Sequence, residues 1–279
     1  MNANTSETPR EDIHLHSLRS NGSYDPDFFA KIGEVEDRHF WFGARNEIIA
    51  AAVANLISGL PSGYRVLEVG CGTGVVLRRL AGMCDRGEVL GLDLYPEAVS
   101  LAQERTGCQV VVGDILTPPL SLGEFDIVGA FDVLEHLADE RRTLMALSKM
   151  LKSDGSLVLT VPAHSSLWSY FDVAACHCRR YDRRQLVKLL QENQFEITYL
   201  TEFMMLLYPL IWLFRKAGKG KKVPSQRLAA QEAASEFEII PVINGLLRVL
   251  LSWEQSFVRQ RWSIPIGTSL LAVAKKVSD

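Results

Sequence analysis

The chain has 279 residues, 47% of them hydrophobic, which is enough to bury a full core within one elaborated domain. Its formal net charge of -3 argues against a general nucleic-acid-binding protein, because such proteins are usually basic. The five cysteines are odd in number and scattered, which predicts reduced thiols and a cytoplasmic protein.

The first 20 residues are polar and lack the apolar segment of a signal peptide, so we expect a disordered tail there. Residues 21–203 are predicted to form an N-terminal cap and a core. Residues 204–264 are predicted to be a helical insertion, and residues 265–279 are predicted to return to the core as its last strand.

Strand-like and helix-like segments alternate after residue 60, and this pattern predicts a parallel sheet with helices on both faces. The predicted strands are 64–69, 88–92, 108–112, 125–131, 156–161, 195–201 and 269–274. The predicted helices are 75–83, 96–104, 138–151 and 183–192, and Asp182 with Gln185 resembles a capping box for the last of them.

A glycine turn follows the first predicted strand, with Gly70, Gly72 and Gly74 at alternate positions. Glycines here let the backbone approach a ligand where a Cβ atom would collide, at the carboxyl end of a parallel strand. A dinucleotide fingerprint would require a glycine or alanine at the sixth position, which is Val75. The turn therefore favours a ligand other than NAD or FAD.

Two carboxylates end the next two strands. Asp93 lies 23 residues after Gly70, a position suited to binding both hydroxyls of an adenosine ribose. Asp114 follows the third strand, where it can accept a hydrogen bond from an adenine amino group. The alternative is that each Asp merely caps a helix. A fourth strand ends at Phe131.

These four segments, in this order, resemble class I S-adenosylmethionine-dependent methyltransferases, in particular the small-molecule branch that includes ubiquinone and menaquinone biosynthesis enzymes. The resemblance covers residues 45–200. It implies an α/β fold with a doubly wound, seven-stranded, mostly parallel sheet, N-terminal helices, and a helical insertion before the last strand.

The same resemblance implies S-adenosylmethionine as cofactor and S-adenosylhomocysteine as product. Gly70, Cys71 and Gly72 would border the methionine part and Asp93 the ribose. Asp114 and Ile115 would border the adenine, and Phe131 would lie beside the sulfonium. Glu68 and Leu94 complete the implied set of cofactor-binding residues.

Methyl transfer needs a base only when the nucleophile arrives protonated. Three histidines beyond strand ends are catalytic candidates: His136, His164 and His177. His136 follows the fourth strand and has the alternative role of starting a helix. His164 follows the fifth strand, in a loop predicted to face the pocket.

The His177-x-Arg179-Arg180-Tyr181 run and an aromatic opening around Trp41 resemble a subgroup of uncharacterised bacterial methyltransferases, in which a Gly usually occupies the position of Cys176. Adjacent arginines can hold a phosphate or carboxylate through bidentate hydrogen bonds. The alternative is that one arginine pairs with Asp172 or Asp182 inside the protein. The predicted substrate-binding residues are Trp41, Trp168, Arg179, Arg180 and Tyr181.

Cys176-His177-Cys178 suggests a metal site, but a stable site needs three or four ligands and no second Cys/His pair accompanies it. The two thiols would also point to opposite faces of an extended segment. The sequence therefore predicts no metal ion.

Residues 203–222 join an apolar run, interrupted by Pro209, to a basic cluster that includes Lys219, Lys221 and Lys222. This pattern is typical of a peripheral segment on an anionic membrane surface, at the inner face for a cytoplasmic protein. The alternative is a helical lid whose apolar face packs on the sheet. Both alternatives predict a hydrophobic acceptor.

The sequence thus predicts methyl transfer to an oxygen or carbon of a small, hydrophobic or lipid-like acceptor. The alternatives are nitrogen methylation of a small molecule, or a non-catalytic cofactor-binding protein associated with a membrane or partner. Nucleic-acid substrates are disfavoured, because the Asn/Asp-Pro-Pro-aromatic loop of amino methyltransferases is not found after Phe131. The sequence indicates no particular oligomeric state.

Overall fold

A computed structural model describes residues 33–217 and 239–277. The strands are β1 (Tyr64–Val69), β2 (Gly87–Asp93), β3 (Gln109–Val112), β4 (Phe125–Phe131), β5 (Leu151–Pro162), β6 (Phe195–Phe203) and β7 (Ser269–Lys276). They form one sheet in the order β3-β2-β1-β4-β5-β7-β6, in which β7 is antiparallel to both neighbours and the other pairs are parallel. The predicted seven-stranded, mostly parallel sheet is confirmed.

The helices are α1 (Phe40–Ile57), α2 (Val75–Ala81), α3 (Pro96–Thr106), α4 (Glu140–Met150), α5 (Tyr170–Ala174), α6 (Arg183–Glu192), α7 (Tyr208–Ala217) and α8 (Pro241–Arg259). Prolines open α3 and α8, where their missing N–H groups cost no hydrogen bond. The predicted capping box of Asp182 and Gln185 is present at the start of α6.

Buried apolar side chains fill both faces of the sheet. On one face, α1, α2, α3 and α8 contribute residues such as Ile48, Leu77, Ala102 and Leu251. On the other face, α4 and α6 supply the leucines and methionine of a second cluster. The sheet is therefore doubly wound, as predicted.

Some boundaries differ from the prediction. The helix predicted from residue 138 starts after Asp139, whose side chain accepts a hydrogen bond from the Arg142 N–H at 3.0 Å. The short helix α5 was not predicted; it begins with a capping box of Ser169 and Asp172. Pro209 does not interrupt the apolar run but lies in the first turn of α7, where its ring is tolerated.

The carboxyl ends of the parallel strands β1 to β6 meet at one edge of the sheet, and the predicted site residues follow these ends. Among the described residues, no helix combines the length and apolarity needed to cross a membrane. The predicted disordered tail and the cluster of Lys219, Lys221 and Lys222 lie outside the described residues.

Candidate active site

The glycine turn after β1 adopts a left-handed backbone. Gly70, Gly72 and Gly74 have φ values of 64°, 53° and 80°, a region that side chains rarely adopt. A Cβ atom on Gly70 would lie 2.6 Å from Val133 Cγ2, whereas a Cβ atom on Gly72 would meet nothing within 4 Å. The turn thus packs tightly at Gly70 and leaves room for a ligand at Gly72.

Asp93, at the end of β2, holds this turn. Its Oδ2 accepts a hydrogen bond from the Gly72 N–H at 2.8 Å, and its Oδ1 accepts one from the Tyr95 N–H at 3.0 Å. Burial raises the pKa of Asp93. The carboxylate therefore lies at the glycine turn, where the sequence predicts ribose binding, and it also shapes the turn.

Asp114 lies after β3, and its Oδ1 accepts a hydrogen bond from the Leu116 N–H at 2.8 Å. This bond closes a turn; no helix begins at Asp114, so it is not the helix-capping role of the alternative. Leu94 and Ile115 are half-buried beside these acids, and Cys71 is buried within the glycine turn. The adenine-binding role of Asp114 and Ile115 stays a prediction.

Glu68 is buried in β1, just before the glycine turn, and its Oε2 has no hydrogen-bond partner among the described residues. Burial raises its pKa well above the usual value. An unpaired buried acceptor next to an open glycine fits a ligand that brings its own donors, such as the amino group of an amino acid.

The end of β4 is fixed by an ion pair that the sequence did not predict. Arg45 on α1 donates from Nε to Asp132 Oδ2 at 2.5 Å and from Nη2 to the Phe131 carbonyl at 3.0 Å. Thr160 donates to Asp132 Oδ1. Phe131 is buried with its ring against Gly129, so the predicted contact with the sulfonium stays a prediction.

Glu135, His136 and His177 come together beyond β4, and we call them the Glu-His-His cluster. One potential ligand atom from each lies within 4.8 Å of the other two. Glu135 is fully buried, and neither carboxylate oxygen has a hydrogen-bond partner among the described residues. The His136 and His177 rings meet edge to face, with centroids 4.8 Å apart.

The two histidines are oriented by partners outside the cluster. His177 Nδ1 lies 3.0 Å from Asp172 Oδ1, and the Cys176 backbone hydrogen-bonds to the His136 imidazole. Burial lowers the pKa of His136 to about 4, so its ring is neutral at pH 7. Although burial alone would raise the pKa of Asp172, its bonds to His177 and Arg180 lower it.

Both predicted anion-binding arginines are engaged inside the protein. Arg180 donates from Nε to Asp172 Oδ1 at 2.7 Å and from Nη1 to the Ala163 carbonyl. Arg179 donates to Glu140 Oε2 at 2.6 Å. Their engagement agrees with the internal-pairing alternative. Both arginines also line a surface cavity, so acceptor binding by either of them stays a prediction.

Tyr181 is buried, and its hydroxyl lies 3.1 Å from Glu140 Oε2. Its main chain bridges to Ala163, and Tyr181 also lines a surface cavity with Arg179 and Arg180, so its role in substrate binding stays a prediction. Trp41 is half-buried with the Arg45 guanidinium 5.7 Å from its ring centroid, and Trp168 is partly exposed.

His164 contacts residues of β6 and α7. Its Nε2 lies 2.7 Å from Glu202 Oε2 on β6, and its ring centroid lies 5.2 Å from that of Tyr208. His164 itself follows β5, which is two strands from β1, about 10 Å at the usual strand spacing, whereas Glu135 and His136 follow β4, which is adjacent to β1. The Glu-His-His cluster is therefore closer to the glycine turn than His164.

The comparisons with known proteins identify the family of the chain. The chain belongs to the methyltransferase domain family, whose model matches residues 41–200, more than half of the sequence. These residues accordingly form a class I S-adenosylmethionine-dependent methyltransferase domain, and the cofactor of this family is S-adenosylmethionine.

Two curated relatives are N- and O-methyltransferases. The chain is 25% identical to ajmaline N-methyltransferase of Rauvolfia serpentina, covering 67% of this chain and 65% of that protein. It is 26% identical to the ubiquinone biosynthesis O-methyltransferase of Methylococcus capsulatus, covering 53% of this chain and 61% of that protein. The chain thus spans less than two thirds of the length of either relative.

The fold is similar to that of a methyltransferase solved in complex with the Trm112 methyltransferase activator of Haloferax volcanii. The TM-score is 0.57 at 19% identity, and the match covers 89% of this chain and 94% of that chain. At this identity the similarity concerns the fold alone.

The structure fits the cofactor through the open space at Gly72 and the unpaired acceptor of Glu68. Gly70 to Gly72, Asp93 and Leu94 would hold it at the carboxyl edge of β1 and β2. The bound cofactor supplies an electrophilic methyl group, and the protein's task is to align the nucleophile and exclude water.

Proposed function

We propose that this enzyme transfers the methyl group to an oxygen or carbon of a small, hydrophobic or lipid-like acceptor. The observation that carries the proposal is the apolar surface of the insertion. On α7, Leu210, Leu213 and Phe214 are exposed, and on α8 Val242, Leu246 and Trp253 are exposed. Such a concentration of exposed apolar side chains usually marks an interaction surface.

The insertion also contacts the segment that follows β5. Tyr208 on α7 packs against His164, and the Arg215 guanidinium lies 4.9 Å from the ring centroid of Tyr170 on α5. An apolar acceptor that approaches over α7 would reach the carboxyl edge of the sheet, where Trp168 is partly exposed. This arrangement supports an acceptor with a sizeable apolar body.

The Glu-His-His cluster is the proposed source of the general base that acts on the acceptor. A hydroxyl acceptor must lose its proton, and a neutral imidazole beside a buried carboxylate is suited to take it. His177 is the first candidate because Asp172 fixes its ring, as the orienting carboxylate does in a catalytic triad.

A nitrogen acceptor is the second candidate, and the similarity to ajmaline N-methyltransferase favours it. A neutral amine carries its own lone pair, so its methylation requires no base before transfer. The effect of removing His177 on the rate of methyl transfer therefore distinguishes an oxygen acceptor from a nitrogen acceptor.

We further propose that the enzyme works at an anionic membrane surface, with the apolar residues of α7 inserted among lipid headgroups. Arg215 and Lys216 follow these residues in the last turn of the helix. Each basic residue near such a surface contributes about 1 kcal/mol.

The test is a matched pair of acceptors, a long-chain phenol and the aniline of the same skeleton, with S-adenosylhomocysteine formation as readout. We expect the phenol to be methylated and His177→Ala to lower kcat by about 100-fold or more. His164→Ala is the matched histidine variant, and we expect a much smaller effect. Turnover of the aniline alone, with His177→Ala fully active, would favour nitrogen methylation.

A further inference from the structure

We propose that Glu135, His136 and His177 bind a divalent first-row transition-metal ion. One carboxylate oxygen and two imidazole nitrogens are a ligand set that such ions accept, and their mutual distances stay within 4.8 Å. Two atoms bound to one ion at about 2.1 Å are at most about 4.2 Å apart. That limit applies to ligands on opposite sides of the ion, and ligands at tetrahedral angles lie about 3.4 Å apart. A separation of 4.8 Å would therefore have to close by roughly 0.6 to 1.4 Å to complete the site.

Glu135 offers a buried carboxyl group to a cation. Neither oxygen accepts a hydrogen bond from the described residues, and the nearest cationic candidate, His177 Nε2, is 4.0 Å from Oε1. That distance is too long for a hydrogen bond. A buried carboxylate is costly unless it is paired or coordinates a metal ion, and no paired donor is found for Glu135 in the described residues.

The surroundings match those of histidine ligands. A ligating histidine usually donates its other ring N–H to a carboxylate or a backbone carbonyl. Asp172, held by Arg180, takes this position at His177 Nδ1, and the Cys176 backbone takes it at His136. The thiols of Cys176 and Cys178 are not members of the group.

The Glu-His-His cluster also lies near the predicted cofactor turn. Val133, within the turn that carries Glu135 and His136, touches Gly70 in the cofactor turn. Three protein ligands leave coordination positions open, as in catalytic zinc sites, and an ion there would lower the pKa of a bound hydroxyl. This inference rests on the proposed function and revises one part of it. Asp172 occupies Nδ1 of His177, so an ion would use the Nε2 lone pair, and the ion instead of His177 would assist the loss of the acceptor's proton. Metal binding itself is measured without any acceptor.

The experiment titrates chelator-treated, dialysed enzyme with Zn²⁺, Mn²⁺ and Mg²⁺ by calorimetry. We expect one equivalent of Zn²⁺ or Mn²⁺ to bind, with Mg²⁺ weaker because it prefers oxygen ligands. Glu135→Gln and His177→Ala should each weaken binding at least 10-fold. Asp172→Asn should weaken it about 10- to 100-fold through the orientation of His177.

The matched control is the double variant Cys176→Ser with Cys178→Ser, which should bind as the unmodified enzyme does. Each variant is first checked for a cooperative thermal transition, and the unmodified enzyme should melt higher as the ion concentration rises. Absence of binding to the folded, unmodified enzyme would overturn the proposal. So would binding that survives Glu135→Gln and is lost in the double cysteine variant. Either result would leave the methyl-transfer proposal standing.

Discussion

Single residues at the strand ends do two tasks at once, and Asp93 is the clearest case. Its carboxylate organises the backbone N–H groups of Gly72 and Tyr95, and it lies where the ribose of the cofactor is predicted. Because a carboxylate has about four acceptor positions, the two backbone bonds leave capacity for a ligand.

We predict that Asp93→Asn weakens S-adenosylhomocysteine binding by about 1.5 to 3 kcal/mol, because charge-assisted bonds to the ribose are lost. Calorimetry measures the change, which corresponds to roughly 10- to 150-fold in Kd. Asp126→Asn is the matched control, since Asp126 lies at the start of β4 and bonds to Lys152 and to the Arg65 N–H. Equal affinity for the Asp93 variant and the unmodified enzyme would refute the ribose role.

The glycine turn and the position of Asp93 could be predicted from the sequence, because both belong to one short motif with a fixed order. It could not predict the Arg45 ion pair with Asp132 or the approach of His177 to Glu135, because these partners are distant in sequence and meet only through the sheet topology. The conformation at Cys176 was predictable in part. Its φ of 56° lies in the left-handed region that glycine favours, and related sequences usually have a Gly at this position.

At the scale of elements, three helices on one face are joined by a single carboxylate. Glu47 on α1 receives hydrogen bonds from both Nε and Nη2 of Arg79 on α2, at 2.6 and 3.0 Å. Gln255 on α8 donates to the same carboxylate at 2.9 Å. The insertion helix α8 is thereby linked to the core.

The bond from Arg79 lowers the pKa of Glu47. A lowered pKa in the folded state stabilises the protein above the ordinary pKa, and this stability is lost as the pH falls through the lowered value. We predict that Glu47→Gln destabilises the fold at pH 7 by about 1 kcal/mol or less, because the pair is partly exposed.

Urea unfolding at pH 7 and pH 3 measures this effect, and the difference between Glu47→Gln and the unmodified enzyme should shrink at pH 3. Glu104→Gln, on the exposed side of α3, is the matched control and should stay within about 0.5 kcal/mol at both pH values. A difference that is constant across pH would show that the charge of Glu47 is not responsible.

Strands and helices with a clear hydrophobic periodicity were predictable from the sequence, whereas a short helix defined by its capping residues was not. The seven strands and four core helices follow from apolar runs bounded by glycine, proline and capping residues. The helix α5 is five residues long and depends on the Ser169 and Asp172 capping box, which has too short a pattern to be recognised. Pro209 predicts a break in the apolar run, but the first turn of a helix accepts proline, and α7 begins there.

At the scale of the whole molecule, the two faces of the enzyme differ. The face with α7 and α8 exposes a series of large apolar residues, whereas on the opposite face α4 exposes Met145. A membrane-bound orientation that directs α7 towards lipid would keep α4 in water.

We predict binding to anionic vesicles that falls with added salt and with the paired substitution Leu213→Glu and Phe214→Glu. Both an apolar and an electrostatic contribution are expected for such a surface. Co-sedimentation with vesicles of mixed neutral and anionic lipid measures it. Met145→Glu adds a similar charge on the other face and should leave binding unchanged; equal loss in this control would argue for a simple effect of net charge.

The strand order has a consequence for how the chain acquires its structure. Among the described strands, β6 pairs only with β7, and β7 follows it after a connection of 65 residues, from 204 to 268. At a synthesis rate of about 5 to 20 residues per second, β6 waits roughly 3 to 13 s on the ribosome for its partner. During that interval β5 and β6 both present unpaired edges, so this stage of translation is where a chaperone would be needed most.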